Sequence, residues 1–302
     1  MALGHALRTL GIGGSGMATK SLIPAHAPAP AAASFGATLR RWRLGRRLSQ
    51  LALATEAEIS ARHLSFLETG RAQPSREMVL LLASVLDVPL REQNVLLTAA
   101  GFAPVHRETA LAAPELGQVR RALGFMLAQQ EPFPALVVDR HWNLLMQNEG
   151  ADRVFGLFLD PKAAAAITGP PNVARLTFHP SGLRPYIANW EALAGPLLQQ
   201  IHREAPGGIL DEGTQRLLDE LLAYPGVPTR WRTADPKAQS TPLLPLTLRK
   251  DDLTLAFFTT IATVGTPQDI TLQELRVECF FPADEATDAI ARRLAGRGGA
   301  RG

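Results

Sequence analysis

The sequence predicts two folded parts, an all-α region of five short helices followed by an α+β domain. Three observations carry this. Serines at 34, 49, 60 and 75 each stand just before a stretch whose apolar residues recur at helical spacing, the arrangement of helix N-caps. From Ala135 onward the pattern changes to short apolar runs that read as strands, with helical stretches between them. The positive charge is also uneven. Between Ser34 and Arg107 stand ten arginines, no lysine and six carboxylates, a net +4, whereas the whole chain carries +3. A surface that meets a polyanion has this excess, and so does a plain solvated basic face.

Composition narrows the function classes. A chain of 302 residues, 46% hydrophobic, is long and apolar enough for about two packed domains. No window holds the roughly 18 uncharged apolar residues of a membrane span, and the N-terminus lacks the apolar run of a secretory signal. The single cysteine, Cys279, forms no internal disulfide and suits a reducing compartment, so a cytoplasmic protein is expected. The histidines, at 5, 26, 63, 106, 141, 179 and 202, are too scattered for a metal site. No nucleophile elbow or phosphate loop follows the leader, and Asp251-Asp252 reads as a solvated hairpin turn. Neither an enzyme nor a cofactor is expected.

Residues 1–33 are rich in Gly, Ala and Pro without period and read as a disordered leader. Gly11 to Gly16 matches G-x-G-x-x-G, but no strand precedes it and prolines follow, so it lacks the context of a nucleotide loop. Met17 is an alternative start.

The region 34–103 follows in order. Phe35, Leu39 and Trp42 form the stripe of a first helix, with arginines on the rest. Ser49 caps a second helix starting at Gln50, with Leu51, Ala54 and the neighbouring Leu53 as its apolar positions. After a turn at Ala57-Glu58-Ile59, Ser60 caps a third helix. Leu64 and Leu67 face inward, while Ala61, Arg62, Ser65 and Phe66 face out, and Gly70 ends it in a left-handed conformation. Ser75 caps a fourth helix with Val79, Leu82, Ala83 and Leu86 as its stripe. Pro89 separates a fifth, Leu90 to Ala100.

This stretch resembles the lambda-repressor/Cro-like helix-turn-helix proteins, the XRE family. The resemblance rests on Leu39-Arg40-x-x-Arg43, Leu48-Ser49-Gln50-x-x-Leu53-Ala54 and Ile59-Ser60-x-x-x-Leu64-x-x-Leu67-Glu68-x-Gly70-Arg71-x-x-Pro74-Ser75. It implies double-stranded DNA as partner, with the third helix in the major groove. Gln50 would meet a phosphate at a helix N-terminus. Ala61 and Arg62 would reach base edges, Arg62 forking onto a guanine for about 1–3 kcal/mol of discrimination. Phe66 would meet apolar groups. Thr69, Arg71 and Arg40 are phosphate candidates, and Ser60, His63 and Ser65 share that surface, His63 equally as a packing residue. Arg43 and Glu68 would form an internal ion pair. Glu58 stands where the family usually has glycine. It is expected to cost on the order of 1 kcal/mol in a left-handed turn and to repel phosphates.

The stretch 104–114 reads as a linker. Leu116, Val119, Leu123, Met126 and Leu127 mark a connecting helix. A hairpin is expected over 135–148, with a two- or three-residue turn at Asp139-Arg140-His141, then a helix from Ala151 to Phe158. Helices follow at about Tyr186 to Glu204 and Asp211 to Tyr224. Strands follow at Pro242 to Arg249 (an edge, because of its prolines), Leu253 to Ala262 and Gln273 to Phe281. A strand pair, helices and a meander make an α+β domain of the PAS-like kind over 115–294, with 295–302 as a disordered tail.

This half resembles the ligand-binding domain of MmyB-like transcription regulators. The carrying residues are Pro134-Ala135-Leu136-Val137-Val138-Asp139-Arg140-x-Trp142-Asn143, Phe178-His179-Pro180-x-Gly182-Leu183-Arg184-Pro185, Asn189-Trp190 and Gly265-Thr266-Pro267-Gln268-Asp269-Ile270-Thr271-Leu272-x-Glu274-Leu275-Arg276. The resemblance implies a pocket for a fatty-acid-like or other apolar ligand, and a DNA-binding homodimer. In such a pocket Arg184 would clamp a carboxylate, Asn143, His179 and Asn189 would orient it, and Trp142 and Trp190 would close the wall. Each also has an ordinary structural role open to it: core for the tryptophans, a turn cap for His179, an ion pair for Arg184.

The expected function is a ligand-responsive transcriptional regulator that binds a pseudo-palindromic operator as a dimer. Two alternatives remain at this point: a constitutive DNA binder whose second half only dimerises, and a small-molecule carrier or enzyme with a weakened helix-turn-helix.

Overall fold

The structure, a computed structural model, describes residues 34–164, 167, 169–203, 211–232, 245–265 and 267–298. The leader with its glycine motif and Met17, the first residues of the strand expected at 242, and residues 299–302 lie outside these.

Five helices make the N-terminal region: α1 (Phe35–Gly45), α2 (Gln50–Glu56), α3 (Ala61–Glu68), α4 (Arg76–Val85) and α5 (Leu90–Ala99). The hydroxyls of Ser34, Ser49, Ser60 and Ser75 each accept from the backbone N–H three residues on, so the first four helices start where the sequence placed their caps. Their stripes close one core, with Leu39, Trp42, Leu53, Leu64, Leu67, Val79, Leu82 and Leu96 buried. Leu51 departs from expectation and is 68% exposed. Residues i and i+2 of a helix point about 200° apart, so Leu51 and Leu53 cannot share a face, and Leu53 sides with Ala54 and Ala57.

A 3₁₀ turn (Pro114–Leu116) leads into α6 (Gly117–Gln129), which buries Leu123 and Leu127 and leaves Met126 exposed. The second domain holds β1 (Ala135–Val138), β2 (Leu144–Gln147), α7 (Glu149–Phe155), α8 (Pro161–Ala164), α9 (Val173–Phe178), α10 (Trp190–Arg203), α11 (Glu212–Ala223), β3 (Pro245–Lys250), β4 (Leu253–Thr263), α12 (Ile270–Glu274), β5 (Arg276–Pro282) and α13 (Glu285–Gly298). The five strands form one antiparallel sheet in the order β2-β1-β5-β4-β3. β1 is buried on both faces. Leu136 and Val138 enter the main core with α7, α9, α10 and α11, while Ala135 and Val137 meet Leu123 and Leu127 of α6. The domain is α+β, as the alternation of element types predicted.

Four local readings are corrected. The β1–β2 connection spans 139–143 rather than two or three residues. Asp139 Oδ1 accepts from the N–H groups of His141 and Asn143, and Trp142 sits at φ 66°. Gln273 and Glu274 belong to α12 and not to a strand, because Asp269 caps a short helix through the Thr271 N–H. The helix expected from Tyr186 begins only at Trp190, behind a 3₁₀ turn at Arg184–Tyr186. The tail from 295 continues α13 to Gly298, and Ile290, Ala291 and Leu294 anchor that helix on the domain.

Candidate functional site

Two sites emerge, one on each part, and a set of ion pairs joins them. The first is the outer surface of α3. Its position is set by a buried pair: Arg43 on α1 donates from Nε to Glu68 Oε1 at 2.6 Å and from Nη2 to Oε2 at 2.9 Å, the side chains being 7% and 2% exposed. Arg43 also donates to the Leu48 carbonyl, and Gln50 to Glu68 Oε2 at 2.8 Å. Burial alone would raise the Glu68 carboxyl, but the hydrogen bonds from Arg43 and Gln50 outweigh it and hold it below the ordinary carboxylate value. At Gly36 the α1 backbone lies against the Leu67 and Glu68 carbonyls, where an added Cβ would come within 2.5 Å. That close approach is what glycine supplies there.

The expected DNA-contacting residues fall as follows. Arg62, Thr69, Arg71 and Arg40 are exposed. The Arg62 guanidinium lies over the Phe66 ring at 5.3 Å, so the two outward side chains of α3 support one another. Ser65 and His63 are half-buried, and the Ser60 hydroxyl oxygen accepts from the His63 N–H as the cap. Ala61 packs partly on the helical core rather than pointing wholly outward. Gln50 has one amide hydrogen on Glu68. The Thr69 hydroxyl donates to the Ser65 carbonyl, and Gly70 follows at φ 72°. Glu58 occupies the left-handed turn before α3 at φ 53°.

The second site is a pocket between the inner sheet face and the helices of the second domain. It is a narrow slot, with about 60 Å³ open to the centre of a water molecule, and its wall is almost wholly apolar. Leu136, Trp142, Phe155, Leu176, Leu193 and Phe280 supply much of that wall. Of the six residues expected there, only Trp142 lines it. The other five have committed partners elsewhere. Asn143 donates to Asp139 and accepts from Asn172. His179 Nδ1 accepts from the Ser181 N–H, with its ring edge-on to Tyr224. Asn189 bridges the Pro245 carbonyl and the Thr247 N–H. Trp190 donates to the Gly226 carbonyl and packs edge-on to Phe178. The Arg184 guanidinium carbon lies over the Trp190 ring, 4.0 Å from its centroid. Asn143, His179, Asn189 and Trp190 each satisfy a polar group of another residue, a demand the linear sequence does not display.

Sequence reasoning missed Gln147, Thr177 and Glu278, the polar residues the fold brings to the wall with Thr259. The readable signal was a polar residue inside an apolar strand, as at Glu278 between Val277 and Cys279.

The stretch 104–114 joins the two sites. Thr109 donates to Asp269, and the Ile270 N–H donates to the Arg107 carbonyl. The Leu90 N–H donates to Gln273, and Arg91 holds both Glu274 and Glu108. Glu274 also takes Arg140 at 3.3 Å, and Arg140 takes Asp211 at 3.0 Å. Burial acts to raise the Asp211 carboxyl, but hydrogen bonds from Thr214 and His141 and the charge of Arg140 hold it far below its usual range. Arg140 stands two residues before Trp142 on the same turn. The α12 segment, which takes the first two residues of the expected strand, is therefore the dock for the helical region.

No curated protein sequence matches the chain. Among solved structures, that of an RNA-binding light-oxygen-voltage receptor is similar at 12% identity and a TM-score of 0.23, covering 87% of this chain. The chain spans 62% of that protein's length. The family model of the MmyB-like transcription regulator ligand binding domain matches residues 119–294, and that of a helix-turn-helix domain matches 34–96. No described helix is long and apolar enough to cross a membrane. A helix-turn-helix with Arg62 on its outer face, tied through Arg91 and Glu274 to a domain with an apolar pocket, agrees with both matches: the chain belongs to the MmyB-like transcription regulators, and is a DNA-binding regulator with a ligand-binding domain.

Proposed function

We propose that the protein reads a pseudo-palindromic operator as a homodimer, and that a small apolar ligand in the second domain sets how firmly it binds. Arg62, steadied by Phe66, reads a base edge, while Arg40, Thr69 and Arg71 meet phosphates. One short helix reads few bases, so symmetric half-sites are needed for tight specific binding. The reading assigns no catalysis or cofactor and places the protein in the cytoplasm, with the chromosome.

The observation that carries the reading is the position of Trp142. It belongs at once to the pocket wall and to the turn whose Arg140 holds Glu274, the partner of Arg91 on α5. A ligand that shifts Trp142 shifts the turn, and the turn holds the dock of the DNA-binding region. Coupling of this kind is typically about 1–3 kcal/mol, a change of roughly 5–150-fold in DNA affinity. The apolar wall supports the lipid-like part of the expected ligand. The Arg184 clamp has no support, because that side chain is stacked on Trp190.

The test is fluorescence anisotropy of the full chain on DNA from upstream of its own gene, over a salt series and with or without a medium-chain alcohol or acid. Sequence-preferring binding with a steep salt slope, altered by the apolar compound, is expected. Binding that ignores both sequence and compound would overturn the reading.

A further inference from the structure

A second cavity opens where the helical region meets its dock. It lies between α1, α5, the stretch 106–108 and Ile270 of α12, with about 560 Å³ open to the centre of a water molecule against about 60 Å³ in the apolar pocket. Most of its polar side chains are committed. Arg91 is held by Glu274 and Glu108, which neutralises the Glu108 carboxylate in turn. Asn94 donates to the His106 carbonyl and accepts from the Val105 and His106 N–H groups. Thr98 gives its hydroxyl hydrogen to the Asn94 carbonyl. His106 gives its Nε2 hydrogen to Gln93 Oε1, because the Gln93 amide nitrogen is on the Val88 carbonyl. Two side chains make no such commitment. Thr38, 1% exposed, has no hydrogen-bond partner for its hydroxyl among the described residues. Arg41 stands three positions further along α1, exposed, with no hydrogen bond or ion pair among the described residues. Glu92 on α5 attracts it only from a distance.

We infer that this cleft is a second ligand site, for a small organic acid whose carboxylate takes the Arg41 guanidinium and the Thr38 hydroxyl while its apolar body lies on Val95, Ala99 and Ile270. The site shares no residue with the apolar pocket. Residues three apart on a helix lie on one face, so Thr38 and Arg41 can address one group. A guanidinium matches a carboxylate with two parallel donors. A buried hydroxyl without a partner is costly, and a carboxylate oxygen supplies the acceptor it lacks. The acceptor capacity left on Thr98 and His106 carries no charge, whereas Arg41 is the one charged side chain of the described lining without a hydrogen-bonded counter-ion. A neutral ligand would leave that charge unused. A bare inorganic anion would leave the apolar side chains wet. A bound acid touches α1 and α5 of the helical region and Ile270 of the dock at once, so it braces the joint between the two parts.

The full-length protein would be titrated by calorimetry with benzoate, with benzyl alcohol as its uncharged counterpart and with inorganic phosphate, at neutral pH and low salt. Benzoate is expected to bind about tenfold more tightly than either. Added chloride should weaken it, since Arg41 is exposed and its charge is screened. Arg41→Met should weaken benzoate by about tenfold or more, with Arg41→Lys restoring part of the loss. Thr38→Val, which keeps the shape, should weaken it roughly five- to tenfold. Benzoate that fails to bind, or binds no more tightly than benzyl alcohol to the unmodified protein, overturns the inference without need of a variant. Phosphate binding as tightly as benzoate overturns the organic-acid class, and unchanged benzoate affinity in folded Arg41→Met overturns the site. Each of these failures leaves the operator reading and the apolar pocket standing.

Discussion

Arg91 on α5 and Glu274 on α12 meet in a two-point ion pair, Nε to Oε1 at 2.7 Å and Nη2 to Oε2 at 3.0 Å. The pair joins the DNA-binding helices to the ligand-binding domain. The hydrogen bonds that Arg91 donates to Glu274, the larger contributor, and to Glu108 outweigh burial and hold its guanidinium more firmly protonated than usual. Both side chains are mostly shielded, so the contact is screened by salt less than a surface pair would be. Glu274→Gln keeps the shape and removes the charge. The expected result is a protein that still binds operator and still binds an apolar ligand, but whose DNA affinity the ligand changes by less than about twofold, against the roughly 5–150-fold range of ordinary coupling. Anisotropy titrations of the variant with and without ligand measure this directly.

Arg62→Ala removes the main polar group of the α3 surface. Specific operator binding should fall by about 1–3 kcal/mol, with the preference relaxed at one base position per half-site. Binding to unrelated DNA should change far less. Phe66→Ala should give a smaller loss in the same direction, since it takes away only the ring under the guanidinium. Competition binding against single-base operator variants separates the two.

The Arg43–Glu68 pair predicts both a mutational and a pH effect. Arg43→Ala leaves Glu68 buried without its partner and should destabilise the helical region by about 3–5 kcal/mol. Replacing both residues with apolar ones of similar size should be much milder. Because the folded-state Glu68 carboxyl is held below its unfolded value, its contribution is fully present above the ordinary carboxylate range. It is lost as pH falls through the depressed folded value. Urea unfolding between neutral and acidic pH should show stability falling in that window, with a shallower fall in the double apolar variant.

Glu58 sits at φ 53°, where a Cβ is strained, at the entrance to α3. Glu58→Gly should stabilise the helical region by about 1 kcal/mol and tighten DNA binding by removing a negative charge from the reading surface. A gel-shift series giving unchanged or weaker affinity would count against that surface facing the phosphates.

The sequence by itself determined the helical region almost completely. Caps at Ser34, Ser49, Ser60 and Ser75, the stripes of α1, α3 and α4, and the left-handed Gly70 all follow from short-range rules that operate within a few residues. The Arg43–Glu68 pair was legible only through the family pattern, since its members are 25 residues apart. In the second domain the strands were legible as apolar runs, but the irregular segments were not. The five-residue turn at 139–143, the α12 helix and the start of α10 depend on backbone groups finding distant partners. The pocket is the clearest case. Arg184, Asn143, His179, Asn189 and Trp190 looked available in the sequence, and each has been taken by a hydrogen bond or ring contact within the fold. Gln147 and Glu278, 131 positions apart, drew no notice in the sequence and stand in one row on either side of Leu136 because strand pairing puts them there. Local chemistry writes itself into neighbouring residues, whereas the composition of a cavity depends on which strands pair and in what register, and only the tertiary structure decided that.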